Sequence, residues 1–193
     1  MKFYESGDNC KPVIFLFPGT CCLYSSFDHV LDGLHSYFYT VTVSYDGFDP
    51  NEKTEFYSME DECEKIEQEI TKKYGGRIKA AYGCSLGGSF VSLLIQRKRI
   101  HIDHGIIGSS DMDEAGYLVA KIQSSMVVPF MYKMVHTGTL PKFMQKKLDK
   151  TDGGKKELYN GFLNMFGIGK GGSPWITKQS IYNQFYSDLV TKV

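Results

Sequence analysis

Four short apolar runs pace the first half of the chain, and stretches with helical spacing separate them. Val13-Ile14-Phe15-Leu16-Phe17 is apolar at every position and stops at Pro18-Gly19, as a strand buried on both faces does. Tyr39 to Tyr45 is β-branched and aromatic, Ile78 to Tyr82 is short and apolar, and Ile102 to Gly108 repeats the type. Between the first two runs, Ser25 or Ser26 offers a cap for a helix through about Tyr37, with Phe27, Val30, Leu31 and Leu34 on one face. Between the next two, Ser58-x-x-Asp61 opens a segment with Met59, Cys63, Ile66, Ile70 and Tyr74 at helical spacing, closed by Gly75-Gly76. Gly87 to Arg97 is mostly apolar, as a helix lying behind a sheet is. Lys2 to Glu5 reads as a short edge strand.

Strands alternating with helices predict an α/β fold: a three-layer αβα arrangement around a mainly parallel sheet of four to five strands. The loops at the carboxyl ends of those strands are then the active edge. The pattern changes at Met112. Asp113 to Gln123, Ser125 to Val135, Pro141 to Lys150 and Gly154 to Met165 all have helical character and are rich in Met, Phe and Tyr. A last helix spans about Ser173 to Leu189. The chain therefore divides into an α/β core, residues 1–111, and a helical cap with a C-terminal helix, residues 112–193. Gly167, Gly169 and Gly172 spell G-x-G-x-x-G, but behind a helix and not a strand, which argues against a nucleotide loop.

Composition narrows the function classes. The chain has 193 residues, enough for one domain with a real core. Lys+Arg and Asp+Glu both number 22, a balance that speaks against nucleic acid or an acidic membrane as partner. Five cysteines without framework spacing point to reduced thiols and a cytoplasmic location, and Cys21-Cys22 has no second pair to complete a zinc site. No metal and no cofactor is expected.

The chemistry concentrates in Gly83-Cys84-Ser85-Leu86-Gly87-Gly88, a G-x-S-x-G between a strand-like and a helix-like run. A strand-to-helix turn this sharp leaves no room for side chains at its flanks and lifts the central hydroxyl into the open. Ser85 is the candidate nucleophile. The N–H of Leu86, at the start of a helix, is the candidate oxyanion donor. A second donor is expected from the loop after the first core strand, where Gly19 or Thr20 qualifies and Thr20 is favoured.

These pieces together resemble the α/β-hydrolase superfamily. VIFLFPGT is similar to its first core strand and oxyanion loop, VTVSYDGFD to the next strand and loop, IKAAYGCSLGG to the nucleophile elbow, and IDHGIIGSSD to the strand that leads into a helical cap. The resemblance implies a serine hydrolase acting on an ester or other acyl substrate with an apolar part. Pro18-Gly19 replaces the commoner His-Gly of the oxyanion loop. The family usually carries its acid and its histidine on later strands, beyond the cap. The resemblance therefore implies a C-terminally incomplete core, with those strands expected after Val193 and an exposed sheet edge able to self-associate. Within the chain, Asp111 is the candidate acid and His136 the candidate base. His101 and His104 sit at the wrong end of the fourth strand, and His29 and His35 belong to the first helix. The alternative is a catalytically inactive, hydrolase-derived protein that binds a ligand or a partner.

Overall fold

A computed structural model of the protein describes residues 1–110, 114–151, 153–166 and 171–193. Strands β1 (Lys2–Ser6), β2 (Val13–Phe17), β3 (Tyr39–Ser44), β4 (Arg77–Cys84) and β5 (His101–Gly108) form one sheet in the order β1-β3-β2-β4-β5. β1 pairs antiparallel with β3, and all other pairs are parallel. Helices α1 (Asp28–His35), α2 (Met59–Tyr74) and α3 (Leu86–Arg97) connect the parallel strands. The expected α/β architecture, including the Lys2 edge strand, is the observed one.

The apolar runs work as sheet strands because successive side chains leave opposite faces. On β2, Ile14 and Leu16 pack with Phe27, Leu31, Leu34 and Ala80 beside α1. Phe15 and Phe17 enter the larger core on the other face, with Ile66, Ile70, Phe90 and Leu94 of α2 and α3. The chain passes from β2 to β3 in one direction, then crosses back over β2 to reach β4. Right-handed crossovers taken in opposite directions place α1 and α2 on opposite faces, as found. The reversal puts the switch point of the sheet between β2 and β4, where the two carboxyl ends open a crevice.

The helix signals held at α2 and failed at α1. Ser58 Oγ accepts the Asp61 N–H at 3.1 Å, and Gly75 closes the helix in the left-handed conformation (φ 64°). Ser25 and Ser26 cap nothing. They lie in a short 3-10 turn, Tyr24–Phe27, and α1 starts only at Asp28 without a side-chain cap. Tyr24 explains the detour: its ring stacks on Tyr4 of β1, with centroids 3.8 Å apart, and ties the turn to the sheet.

Beyond β5, the two helices expected before Val135 are one, α4 (Tyr117–Thr137), which runs through Pro129. α5 (Lys142–Asp149), α6 (Gly154–Met165) and α7 (Lys178–Val190) follow. Val128 and Val135 of α4, with Ile176 and Ile181 at α7, join the sheet core. Met134 and Leu163 form a separate small cluster with Leu140, Met144 and Leu148, so α5 and α6 make a layer of their own. Between them lies a cavity of about 290 Å³ lined by Leu140, Met144, Leu148, Thr151, Tyr159 and Leu163. Among the described residues, no helix is long and apolar enough to cross a membrane.

At the carboxyl end of β3, Asp46 and Glu62 are buried side by side, and Lys65 reaches both, Glu62 at 3.0 Å. Desolvation, reinforced by the Asp46 charge, pushes the Glu62 carboxyl up to about 7 from its ordinary 4.5, with Lys65 opposing. The folded state then holds more protons than the unfolded chain between pH 4.5 and 7, so this group's contribution to stability is lost as pH rises through that window. Denaturant unfolding of wild type and Glu62→Gln at pH 5 and pH 8 should show the wild type losing about 2 kcal/mol relative to the variant. A pH-independent difference between the two would refute it.

Candidate active site

β4 ends at Cys84, and α3 starts at Leu86, so Ser85 is the whole connection between strand and helix. Its backbone is at φ 54°, ψ −123°, a conformation that a residue with a Cβ rarely adopts. The strain is held from both sides. The Ser85 N–H donates to the Gly108 carbonyl of β5 at 2.8 Å, and the Ser85 carbonyl accepts the Gly88 N–H at 2.7 Å. The residue is exposed although its neighbours Gly83 and Leu86 are buried. Its hydroxyl has no hydrogen-bond partner among the described residues.

The flanking glycines are required by close approach. A Cβ on Gly83 would lie 1.9 Å from the Gly87 carbonyl oxygen, and one on Gly87 would lie 2.0 Å from the Phe17 carbonyl oxygen. The elbow is thus wedged against the end of β2, where Phe17 is paired with Gly83. The loop after β2 follows the same path. A Cβ on Gly19 would be 3.2 Å from the Cys84 carbonyl oxygen and 3.5 Å from the Ser85 Cβ. Gly19 therefore flanks Ser85, at the switch-point crevice, with Thr20 next along the loop. Leu86 is the first residue of α3, so its N–H has no intrahelical acceptor and sits at the positive end of the helix dipole. Gly19 is thus brought beside Ser85, and Leu86 adjoins Ser85 along the chain.

The loop itself is braced from a distance. The Tyr45 hydroxyl donates to the Pro18 carbonyl at 3.1 Å. The Cys22 N–H closes a turn on the Gly19 carbonyl at 3.0 Å. Cys21, inside that turn, has φ 59° and donates its N–H to Gln184 Oε1 of α7 at 2.9 Å. The Leu23 N–H donates to the Met165 carbonyl at the end of α6, at 3.2 Å. Gln184 has no counterpart in the sequence reading. The buried face of α7 is Ser180, Ile181, Gln184 and Ser187, largely polar, so no apolar stripe marks it in the sequence.

The candidate base is not bonded to Ser85. Asp111 lies outside the described residues. His136 occupies the last turn of α4, its ring 4.9 Å from that of Tyr132, and its Nδ1 is buried without a partner. No hydrogen bond links it to Ser85. His35 bonds Ser6 Oγ at 2.9 Å, His101 bonds Asp103 at 3.1 Å, and His29 and His104 are exposed. None of the five histidines hydrogen-bonds the serine.

Asp46, Asp61 and Glu62 offer three carboxylates within 4.8 Å of one another. The Lys65 ammonium pairs with all three, and the Met1 amine pairs with Asp46, so amino groups already supply the positive charge there. All five cysteines are free thiols. Cys22, buried beside the oxyanion loop, is pushed up to about 12 by desolvation and the neighbouring Cys84, which keeps it unreactive.

No protein-family model and no curated protein matches the sequence. Solved structures do match the fold. A Desulfitobacterium hafniense protein described as an α/β-hydrolase family member aligns with a TM-score of 0.72 at 15% identity, over 99% of this chain and 73% of its own. The chain has the α/β-hydrolase fold. A thermophilic esterase from Thermogutta terrifontis aligns at 0.71 with 14% identity, over 99% of this chain and 67% of its own. A hydrolase from Pseudomonas aeruginosa PA01 gives 0.69 at 13% identity, over 98% and 68%. At such identities the likeness is one of fold. The α/β-hydrolase fold accounts for the elbow geometry as a property of the backbone, which Gly83→Ala tests. This substitution is expected to cost about 3 kcal/mol or more in urea unfolding, because the clash is with main chain that cannot rotate away. A loss under 1 kcal/mol would show that the elbow relaxes more freely than its packing implies.

Proposed function

We propose that the protein is a serine hydrolase that transfers the acyl group of an ester, or of a related acyl substrate with an apolar part, to water. The observation that carries this reading is the exposed Ser85 at φ 54°, seated between the start of α3 and the loop at Gly19. Ser85 Oγ attacks the carbonyl carbon. The N–H groups of Leu86 and of Thr20, or Gly19, receive the charge that develops on the carbonyl oxygen. A histidine takes the serine proton and returns it to the leaving group, and an aspartate orients that histidine. His136 and Asp111 are the candidates for these two roles. The apolar cavity between α5 and α6 supports a substrate with a hydrophobic part.

One observation favours a second reading. No histidine hydrogen-bonds Ser85, and in this reading the chain binds an acyl ligand or a partner without turning it over. An oxyanion hole and binding alone are worth about 10³-fold over water, far short of a working esterase. Hydrolysis of short-chain p-nitrophenyl esters by wild type and Ser85→Ala separates the two. The hydrolase reading expects a rate at least about 10³-fold above the variant's. Equal rates would establish the binding reading.

We also propose that the protein self-associates through β5. Its outer edge is unpaired among the described residues, and Ile106 and Ile107 are 47% and 42% exposed on it. A long edge with apolar residues on both faces is a template for another strand. Sedimentation velocity should show a concentration-dependent dimer that Ile106→Lys shifts to monomer. A wild type that stays monomeric at 100 µM, an order-of-magnitude ceiling of about 0.1 mM for weak self-pairing, refutes it.

A further inference from the structure

The turn Gly19-Thr20-Cys21-Cys22 is closed by the Cys22 N–H on the Gly19 carbonyl at 3.0 Å, and of its two central residues only Cys21 has positive φ. That is the pattern of a type II turn, in which the third position normally belongs to glycine. A cysteine there is strained. The alternative type I turn differs by a flip of the central peptide, which exchanges the positions of the Thr20 carbonyl and the Cys21 N–H. It would relieve the strain at Cys21. What opposes the flip is the bond from the Cys21 N–H to Gln184 Oε1, 2.9 Å long, fully buried and spanning 163 residues of sequence. Turning the peptide over would break this bond and set the Thr20 carbonyl against Oε1, and a partner would return only if the Gln184 amide rotated to offer Nε2, leaving Oε1 unsatisfied in turn.

Gln184 is costly in its own right. Its Nε2 is buried with no partner among the described residues, a burden that an apolar side chain of the same length would avoid. Its neighbours on α7 show that the helix is a strut for loops at this edge of the sheet. Ser180 Oγ accepts the Phe56 N–H at 3.2 Å, and Asn183 Nδ2 donates to the Phe56 carbonyl at 2.7 Å.

We propose that Gln184 is a positioning residue for the active site: its bond to the Cys21 N–H anchors the loop that carries the second oxyanion donor. The assignment rests on the reading of Ser85 as nucleophile. Gln184 touches neither substrate nor Ser85, and acts through Cys21 on the Gly19–Thr20 segment that lies against the serine.

The test compares wild type, Gln184→Met and Gln184→Glu by amide hydrogen exchange over residues 18–23 and by ester kinetics. Methionine fills the space without an acceptor, whereas glutamate keeps one. In Gln184→Met, exchange in the loop should quicken by about 10-fold or more. kcat should fall about 10- to 100-fold with KM within a factor of about two, since a misplaced donor is felt in the transition state. Gln184→Glu should retain the slow exchange and recover most of kcat. Unchanged exchange in Gln184→Met overturns the hold on the loop, and faster exchange with unchanged kcat overturns the positioning role. A wild type without Ser85-dependent turnover overturns the hydrolase reading and the catalytic consequence together, while the exchange measurement still decides, independently, whether Gln184 holds the loop.

Discussion

The structure depends on how closely the main chains of β2, β4 and α3 meet at the carboxyl edge of the sheet. Gly83, Gly87 and the Phe17 carbonyl are in such contact that no Cβ fits between them. That contact forces strand to turn into helix within one residue. It leaves Ser85 strained and exposed, and it points the first free N–H of α3 into the crevice where the topology reverses. Fold and candidate chemistry are therefore one constraint: loosening the glycines would relax the backbone and withdraw the hydroxyl together.

Around this fixed point the molecule uses different kinds of cohesion. The sheet and its two helix layers are held by apolar burial, with Phe15, Phe17, Phe90 and Ile70 at the centre. The loops at the carboxyl edge are held by buried polar bonds, of which Tyr45 to Pro18 and Cys21 to Gln184 are the deepest. Hydrophobic contact is non-directional and suits layers, but a turn that must present one N–H in one direction needs a directional bond. α7 supplies it from the far end of the chain. A helix placed by sequence with the cap thus braces the core.

Much of the exposed apolar surface lies on β5 and α4. Ile106 and Ile107 of β5 are partly open, and Leu118, Ile122 and Met126 of α4 are exposed. The solved structures with this fold are longer, the chain spanning 67–73% of the three described above.

The sequence by itself determined the strands, the helix order, the elbow and its nucleophile candidate. Period-two and helical spacing are local, and glycines at a strand–helix turn answer a local steric demand. Sequence reading of the last third was partial. It divides α4 in two between Gln123 and Ser125, whereas packing of Val128 and Val135 against the core keeps the helix whole. It gave Ser25 and Ser26 a capping role that the stacking of Tyr24 on Tyr4 overrides. What only the tertiary structure decided is what reaches Ser85 and its surroundings: that Gly19 lies against it, that Gln184 bonds the Cys21 N–H of the same loop, and that none of the five histidines bonds it. These are meetings between residues tens to more than a hundred positions apart, set by sheet order and helix packing, and no local pattern of polar and apolar residues encodes them.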